Sequence, residues 1–275
     1  MPCFPPVAQK VISMPHVRLR LAVCLAGLMT TTSVQAQWGT LKGKVILDGA
    51  VPAVKLLVKK GDAAAKDAAV CAAQDVPDES LAVDKDSKGI ANVAVWLVAK
   101  KDVKIHPDLK KPAEAKVTYD QVGCRFIPHV LLVQNTQVVK VVSGDPIAHN
   151  TRGTPLKNPG FNFIVAPKDR VGTDQAMKLA ERLPVQIGCD IHPWMRGYWV
   201  VLDHPYAAVT DKDGNFEIKD LPVGDHEFKV WHENPGYVVK DKKDTKKGLL
   251  VTIKDGETTL VPDIKVPLAT LEGKK

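Results

Sequence analysis

The run Cys189-Asp190-Ile191-His192-Pro193-Trp194-Met195 sets a thiol, an imidazole and a thioether at three-residue intervals, and His149-Asn150 stands well upstream of it. Thiolate and thioether are soft ligands that suit copper, and imidazole suits both of its oxidation states. A trigonal His₂Cys set with a weak axial Met is the electron-transfer copper arrangement. The ligand set predicted from residue types is therefore His149, Cys189 and His192 in the plane and Met195 on the axis. A Cys-x-x-His pair alone arises often by chance, and a buried cysteine is usually a small hydrophobe. Here the pair is joined by Met195, one of two methionines after Gln37, and by the upstream histidine. Zinc fits less well: methionine is a poor zinc ligand, and the sequence has no Cys-x-x-Cys.

Such a site needs strand ends to hold it. A tight loop between two strands can turn side chains spaced three apart toward one point, and Pro193 stiffens that loop. Residues 138–142 read as a strand leading through Gly144-Asp145-Pro146 to His149, and residues 198–202 as the strand leaving the loop. Between the two ligand segments, residues 174–183 read as a short helix.

The pieces His149-Asn150, Cys189-x-x-His192-Pro193-x-Met195 and Arg196-Gly197-Tyr198-Trp199-Val200-Val201 resemble the cupredoxins, the plastocyanin and amicyanin group of blue copper proteins, most closely the short-loop amicyanin form. The resemblance covers roughly residues 117–205. It implies a Greek-key β-sandwich with one type 1 copper ion. It also implies that Asn150 ties the two ligand segments together, and that His192 is the ligand nearest the surface. Pro193 and Trp194 would then form a patch where a redox protein docks, with inward packing of Trp194 the equal alternative. Residues 155–183 are longer and less strand-like than the family leads one to expect.

Downstream, Asp211-Lys212-Asp213-Gly214-Asn215-Phe216-Glu217-Ile218, Leu221-Pro222-Val223-Gly224 and Glu227-Phe228-Lys229-Val230-Trp231-His232 alternate like short antiparallel strands. They resemble the carboxypeptidase regulatory-like, transthyretin-like sandwich, whose relatives include carbohydrate-binding-like modules. Residues 39–49 and 90–98 look like the opening strands of the same sandwich. The expected fold class is thus all-β: a Greek-key cupredoxin sandwich plus a second, transthyretin-like sandwich, with one or two short helices. The expected division is a secretory signal at 1–36, an N-terminal β segment at 37–105, a copper domain at 106–205 inserted into the other sandwich, and a regulatory-like segment at 206–275. Asp211, Asp213 and Asn215 mimic the start of a calcium loop, but the twelfth position is Pro222 where a glutamate is needed, so a hairpin turn is expected. His129, His226 and His232 are expected to be structural histidines.

The N-terminus supplies the compartment. Arg18 and Arg20 precede an apolar run at 21–29 and a polar stretch ending Ser33-Val34-Gln35-Ala36, the order of an export signal cut near Ala36, with Met1 or Met14 as the start. The mature chain is then secreted or periplasmic. Removing residues 1–36 takes Lys10, Arg18 and Arg20 and no acid, so the formal net charge falls from +7 to +4. The remaining charges are interspersed apart from Lys240 to Lys247, read as a solvated loop, so no nucleic-acid partner is expected. No apolar run is long enough to span a bilayer. The export signal takes Cys3 and Cys24, leaving Cys71, Cys124 and Cys189 in an oxidising compartment. With Cys189 assigned to the metal, Cys71 and Cys124 are left to form a disulfide. The expected function is an exported one-electron carrier, and the alternative is an extracellular copper-binding, carbohydrate-binding or protein-interaction module. An enzyme is set aside at this stage, because the eight histidines contain no His-x-His for further coppers.

Overall fold

The computed structural model describes residues 1, 37–101, 103–239 and 248–271. The expected export signal, apart from Met1, and the lysine-rich run at 240–247 therefore lie outside the described residues. The described fold is all-β, with two short α-helices, Ala68–Cys71 and Leu268–Leu271. No helix among the described residues is long and apolar enough to cross a membrane.

Two layers enclose the predicted ligands. One is a five-stranded sheet in the order Phe161–Val165, His149–Gly153, Val185–Gly188, Arg196–Leu202, Val130–Gln134. The facing four-stranded sheet runs Thr173–Ala176, Val138–Ser143, Lys116–Gln121, Phe126–Ile127. Alternation supplies the filling: Val139 and Val141 from one layer and Leu131, Val133, Val185, Ile187, Trp199 and Val201 from the other bury into one core, with Tyr119 and Phe126 stacked at 5.1 Å. The expected strands at 138–142 and 198–202 are present as Val138–Ser143 and Arg196–Leu202.

The short helix expected at 174–183 is not formed. Thr173–Ala176 is instead a strand paired antiparallel with residues 138–141. Met177 is wholly buried in the core, and the Glu181 carboxylate accepts the backbone N–H groups of Leu156, Lys157 and Asn158. An edge pairing and a buried carboxylate that ties a loop give these residues more than one isolated helical turn would.

A second pair of sheets draws strands from both ends of the chain. Trp38–Asp48 lies between Asn215–Pro222, antiparallel, and the parallel strands Thr258–Leu260 and Ile264–Pro267. Facing it, Ala94–Leu97 pairs with Ala207–Val209 on one side and Gly224–His232 on the other, and Gly224–His232 also pairs with Leu249–Ile253. Leu41, Val45, Leu47, Val95, Leu97, Phe216, Ile218, Phe228 and Val230 share their core. The Asp211 turn closes as a hairpin: Asp211 Oδ1 accepts the N–H groups of Asp213 and Asn215, and Gly214 has the positive φ of +79° that such a turn requires. That carboxylate is thus already used by the turn.

Candidate metal centre

His149 opens the strand His149–Gly153, and Cys189 directly follows Val185–Gly188, which pairs with it at Gly188 and Arg152. The loop then folds on itself: Met195 N–H donates to the His192 carbonyl at 2.9 Å, and Cys189 N–H to the Met195 carbonyl at 3.3 Å. Two neighbouring strands and one seven-residue loop, Cys189 to Met195, thereby bring together residues far apart in sequence. His149 Nδ1 lies 3.0 Å from His192 Nδ1, and Cys189 Sγ lies 3.8 Å from the same His192 Nδ1. The three donor atoms all fall within 4.8 Å of one another. The 3.0 and 3.8 Å separations suit donors sharing one ion at roughly 2.0–2.3 Å. Both imidazoles are 0% exposed, Cys189 is 3% exposed and Met195 1%, and Met195 packs in the same core cluster as Cys189.

The outer nitrogens of both imidazoles are held by carboxylates. Asp145 Oδ2 lies 2.9 Å from His149 Nε2, and Asp145 also accepts the N–H groups of Gly123 and Cys124. Asp67 Oδ2 lies 3.0 Å from His192 Nε2. A carboxylate on the far nitrogen fixes the ring and leaves Nδ1 as the inward donor. Asn150 joins the two ligand segments: its Oδ1 accepts the N–H groups of Asp190 and Ile191, its Nδ2 donates to Asp190 and Asn162, and its backbone N–H reaches the Cys189 sulfur at 3.5 Å.

Electrostatics follow this geometry. Burial pulls the His149 imidazole down, but Asp145 and the Cys189 sulfur outweigh it and lift it to about 9. Burial pushes the Cys189 thiol up, but hydrogen bonds with His149 and the backbone N–H groups of Asn150, His192 and Ile191 leave it below the usual thiol range. His192 is lowered, first by burial and then by the neighbouring His149, against the pull of Asp67.

Cys71 and Cys124 form a disulfide with Cα atoms 5.3 Å apart, so Cys189 is the free cysteine among the described residues. Cys124 also falls near Asp145 and His149, but its sulfur is taken by the disulfide. The bridge anchors the segment carrying Asp67 against the metal loop, where Val58, Ala72 and Val76 pack with Trp194. His192 is wholly buried, with the Asp67 carboxylate over its outer nitrogen. Trp194 is half-buried, with its ring 5.3 Å from His192 and its Nε1–H donating to the Cys124 carbonyl, while Pro193 remains exposed. His129 pairs instead with Glu233, and His226 Nε2–H donates to the Pro222 carbonyl at the sandwich edge, so neither joins the centre.

Sequence reasoning missed Asp145 and Asp67. Asp145 stood in the Gly144-Asp145-Pro146 turn four residues before His149 and was legible there as a partner for that ring. Asp67 had no signal, being 125 residues from His192.

No family model matches the chain, and no curated protein matches it. Among solved structures, similarity is found to the Cu-containing nitrite reductase (NirK) of Thermus scotoductus SA-01, at 21% identity and TM-score 0.28, over 38% of this chain and 25% of that one. A purple cupredoxin from Nitrosopumilus maritimus is 16% identical at TM-score 0.26, over 32% of this chain and 99% of that one. Amicyanin from Paracoccus versutus is 16% identical at TM-score 0.28, over 39% of this chain and 96% of that one. The chain therefore spans a quarter of the nitrite reductase and nearly all of the two smaller proteins. The setting aside of an enzyme is corrected by the nitrite reductase in this group: a chain similar in part to a copper enzyme is not excluded from catalysis by its lack of His-x-His.

Proposed function

We propose that the chain is an exported one-electron carrier in which His149, Cys189 and His192, with Met195 on the axis, hold a single type 1 copper ion. The observation that carries this reading is the convergence of two Nδ1 atoms and one thiol sulfur, all buried and drawn from two strands and one loop. The donor set fits copper in its chemistry: one thiolate, two imidazoles and a neighbouring thioether. When bound, copper would supply a one-electron couple.

The chain's own groups do the rest. Asp145 and Asp67 fix the two rings from outside, and Asn150 fixes the loop, so the donors are placed before any ion arrives. Their burial keeps water from the donors, and a frame built of hydrogen-bonded strands changes little when an electron comes or goes. Asp67 is part-exposed and Pro193 exposed. A redox partner docking on that edge is separated from the His192 ring by one carboxylate.

The shared strands of residues 38–48 and 94–97 with residues 207–232 support a further part of the proposal. In it, the copper domain is inserted into a discontinuous regulatory-like, transthyretin-like sandwich that acts as a scaffold. A disulfide in place supports export.

Electrochemistry of the copper-loaded protein tests the function. A reversible one-electron wave that survives repeated cycling is expected. Copper that binds but cannot be cycled would instead favour a storage or structural site.

A further inference from the structure

Across the outer face of the five-stranded sheet, backbone register places Arg152, Gly188 and Arg196 side by side on three adjacent strands. Strands lie roughly 4.7–4.9 Å apart, so the two arginine Cα atoms stand about 10 Å from one another with a glycine between them. Nothing in the fold requires that glycine. Gly188 has no positive φ, and a Cβ added there would meet only Arg152 Nη2 at 3.8 Å and the Met195 carbonyl at 4.0 Å, both ordinary contacts. A glycine within a strand forfeits packing and entropy, and where geometry does not demand it, it often marks close approach by a ligand.

A cavity of about 250 Å³ opens at this glycine. Arg152, Gln186 and Arg196 form its sides, and Cys189 and Met195 lie at its inner end. Asp190 also lines it and takes Arg152 Nε at 2.8 Å, which steadies the guanidinium and leaves its Nη2 over Gly188. Arg196 is exposed and makes no ion pair among the described residues. Two guanidiniums against one carboxylate leave the cradle positive. Guanidinium N–H groups recognise planar or tetrahedral oxyanions in pairs.

We propose that the Arg152–Gly188–Arg196 row binds a small oxyanion directly behind the ligand strand. Gly188 leaves the space, Arg196 supplies the unpaired charge, and Arg152, steadied by Asp190, closes the other side. The site needs the fold and not the metal. Its effect on the centre rests on the function proposed above: an anion behind Cys189 and Met195 favours the more positive state of a bound ion and so moves its reduction potential downward.

The test uses inorganic phosphate as probe, titrated calorimetrically into the copper-free full chain, into Arg196→Gln and into Gly188→Val. Circular dichroism checks that each variant is folded. Saturable binding at one site per chain is expected, weakened about tenfold or more in Arg196→Gln, as suits the loss of one charged hydrogen-bonding group. In folded Gly188→Val the branched side chain fills the cradle, and binding is lost. No saturable binding in the parent chain, or equal binding in both variants, overturns the proposal. Because this titration is made without copper, a failure of the copper reading leaves it intact. Phosphate binding that does not move the potential of the loaded protein would remove only the coupling.

Discussion

Asp145 does two jobs with one carboxylate, holding the outer nitrogen of His149 and accepting the N–H groups of Gly123 and Cys124 beside the disulfide. Outer-shell partners of this kind typically govern about 10–100-fold of metal affinity, so Asp145→Asn should weaken copper binding by about that factor in a competition titration. Parent-like affinity would show that packing alone orients the ring. A second residue-scale expectation concerns His232, which is buried and held down to about 4, by burial foremost and the nearby His129. Its folded value lies below the ordinary 6.5, so the unfolded chain takes up a proton first as pH falls. Stability is then full above about 6.5 and is lost progressively down to about 4, by on the order of 3 kcal/mol. Urea unfolding across that window should show the slope, and His232→Phe should flatten it. At this scale the sequence pointed to residues that the fold brings together, because a thiol, an imidazole and a thioether three apart have few common structural explanations. It was silent about Asp67, whose position depends on a disulfide and a left-handed residue (φ 52°) rather than on any local pattern.

At the scale of elements, the disulfide and the short segment it anchors form a cover over His192. The loop it closes spans 53 residues, so its removal by paired Cys71→Ser and Cys124→Ser changes should cost about 2–5 kcal/mol in denaturant unfolding. The same variant should expose His192 to solvent, read as faster exchange of its ring protons by NMR. An unchanged exchange rate would mean that the segment holds its place by the packing of Val58, Ala72 and Val76 alone. The strand at 138–142 was legible because Val138-Val139-Lys140-Val141-Val142 is rich in β-branched residues, which favour the extended chain. The stretch 155–183 was not. Its polar residues at 173–175 pair at a sheet edge with little apolar signal, and Met177 and Glu181 are fixed by partners distant in sequence.

For the whole molecule, the pairing of Trp38–Asp48 with Asn215–Pro222 and of Ala94–Leu97 with Gly224–His232 joins the two ends of the described chain in shared sheets. The strand signals at 39–49, 90–98 and 215–232 are met by strands at those places, while register and the parallel pairing with Thr258–Leu260 and Ile264–Pro267 were set by tertiary contacts that no local pattern encodes. Hydrogen exchange should therefore give Trp38–Asp48 and Gly224–His232 the same opening free energy, and separate values would show that the two ends open independently. In the function proposed above, the five-stranded sheet and the loop that follows Val185–Gly188 hold one copper on His149, Cys189, His192 and Met195. The visible absorption of the full chain titrated with Cu(II), beside Cys189→Ser, tests this. An intense thiolate-to-copper band is expected that saturates at one copper per chain, bleaches on reduction and is absent from the variant. A colourless protein, or a band that survives the loss of Cys189, would contradict it.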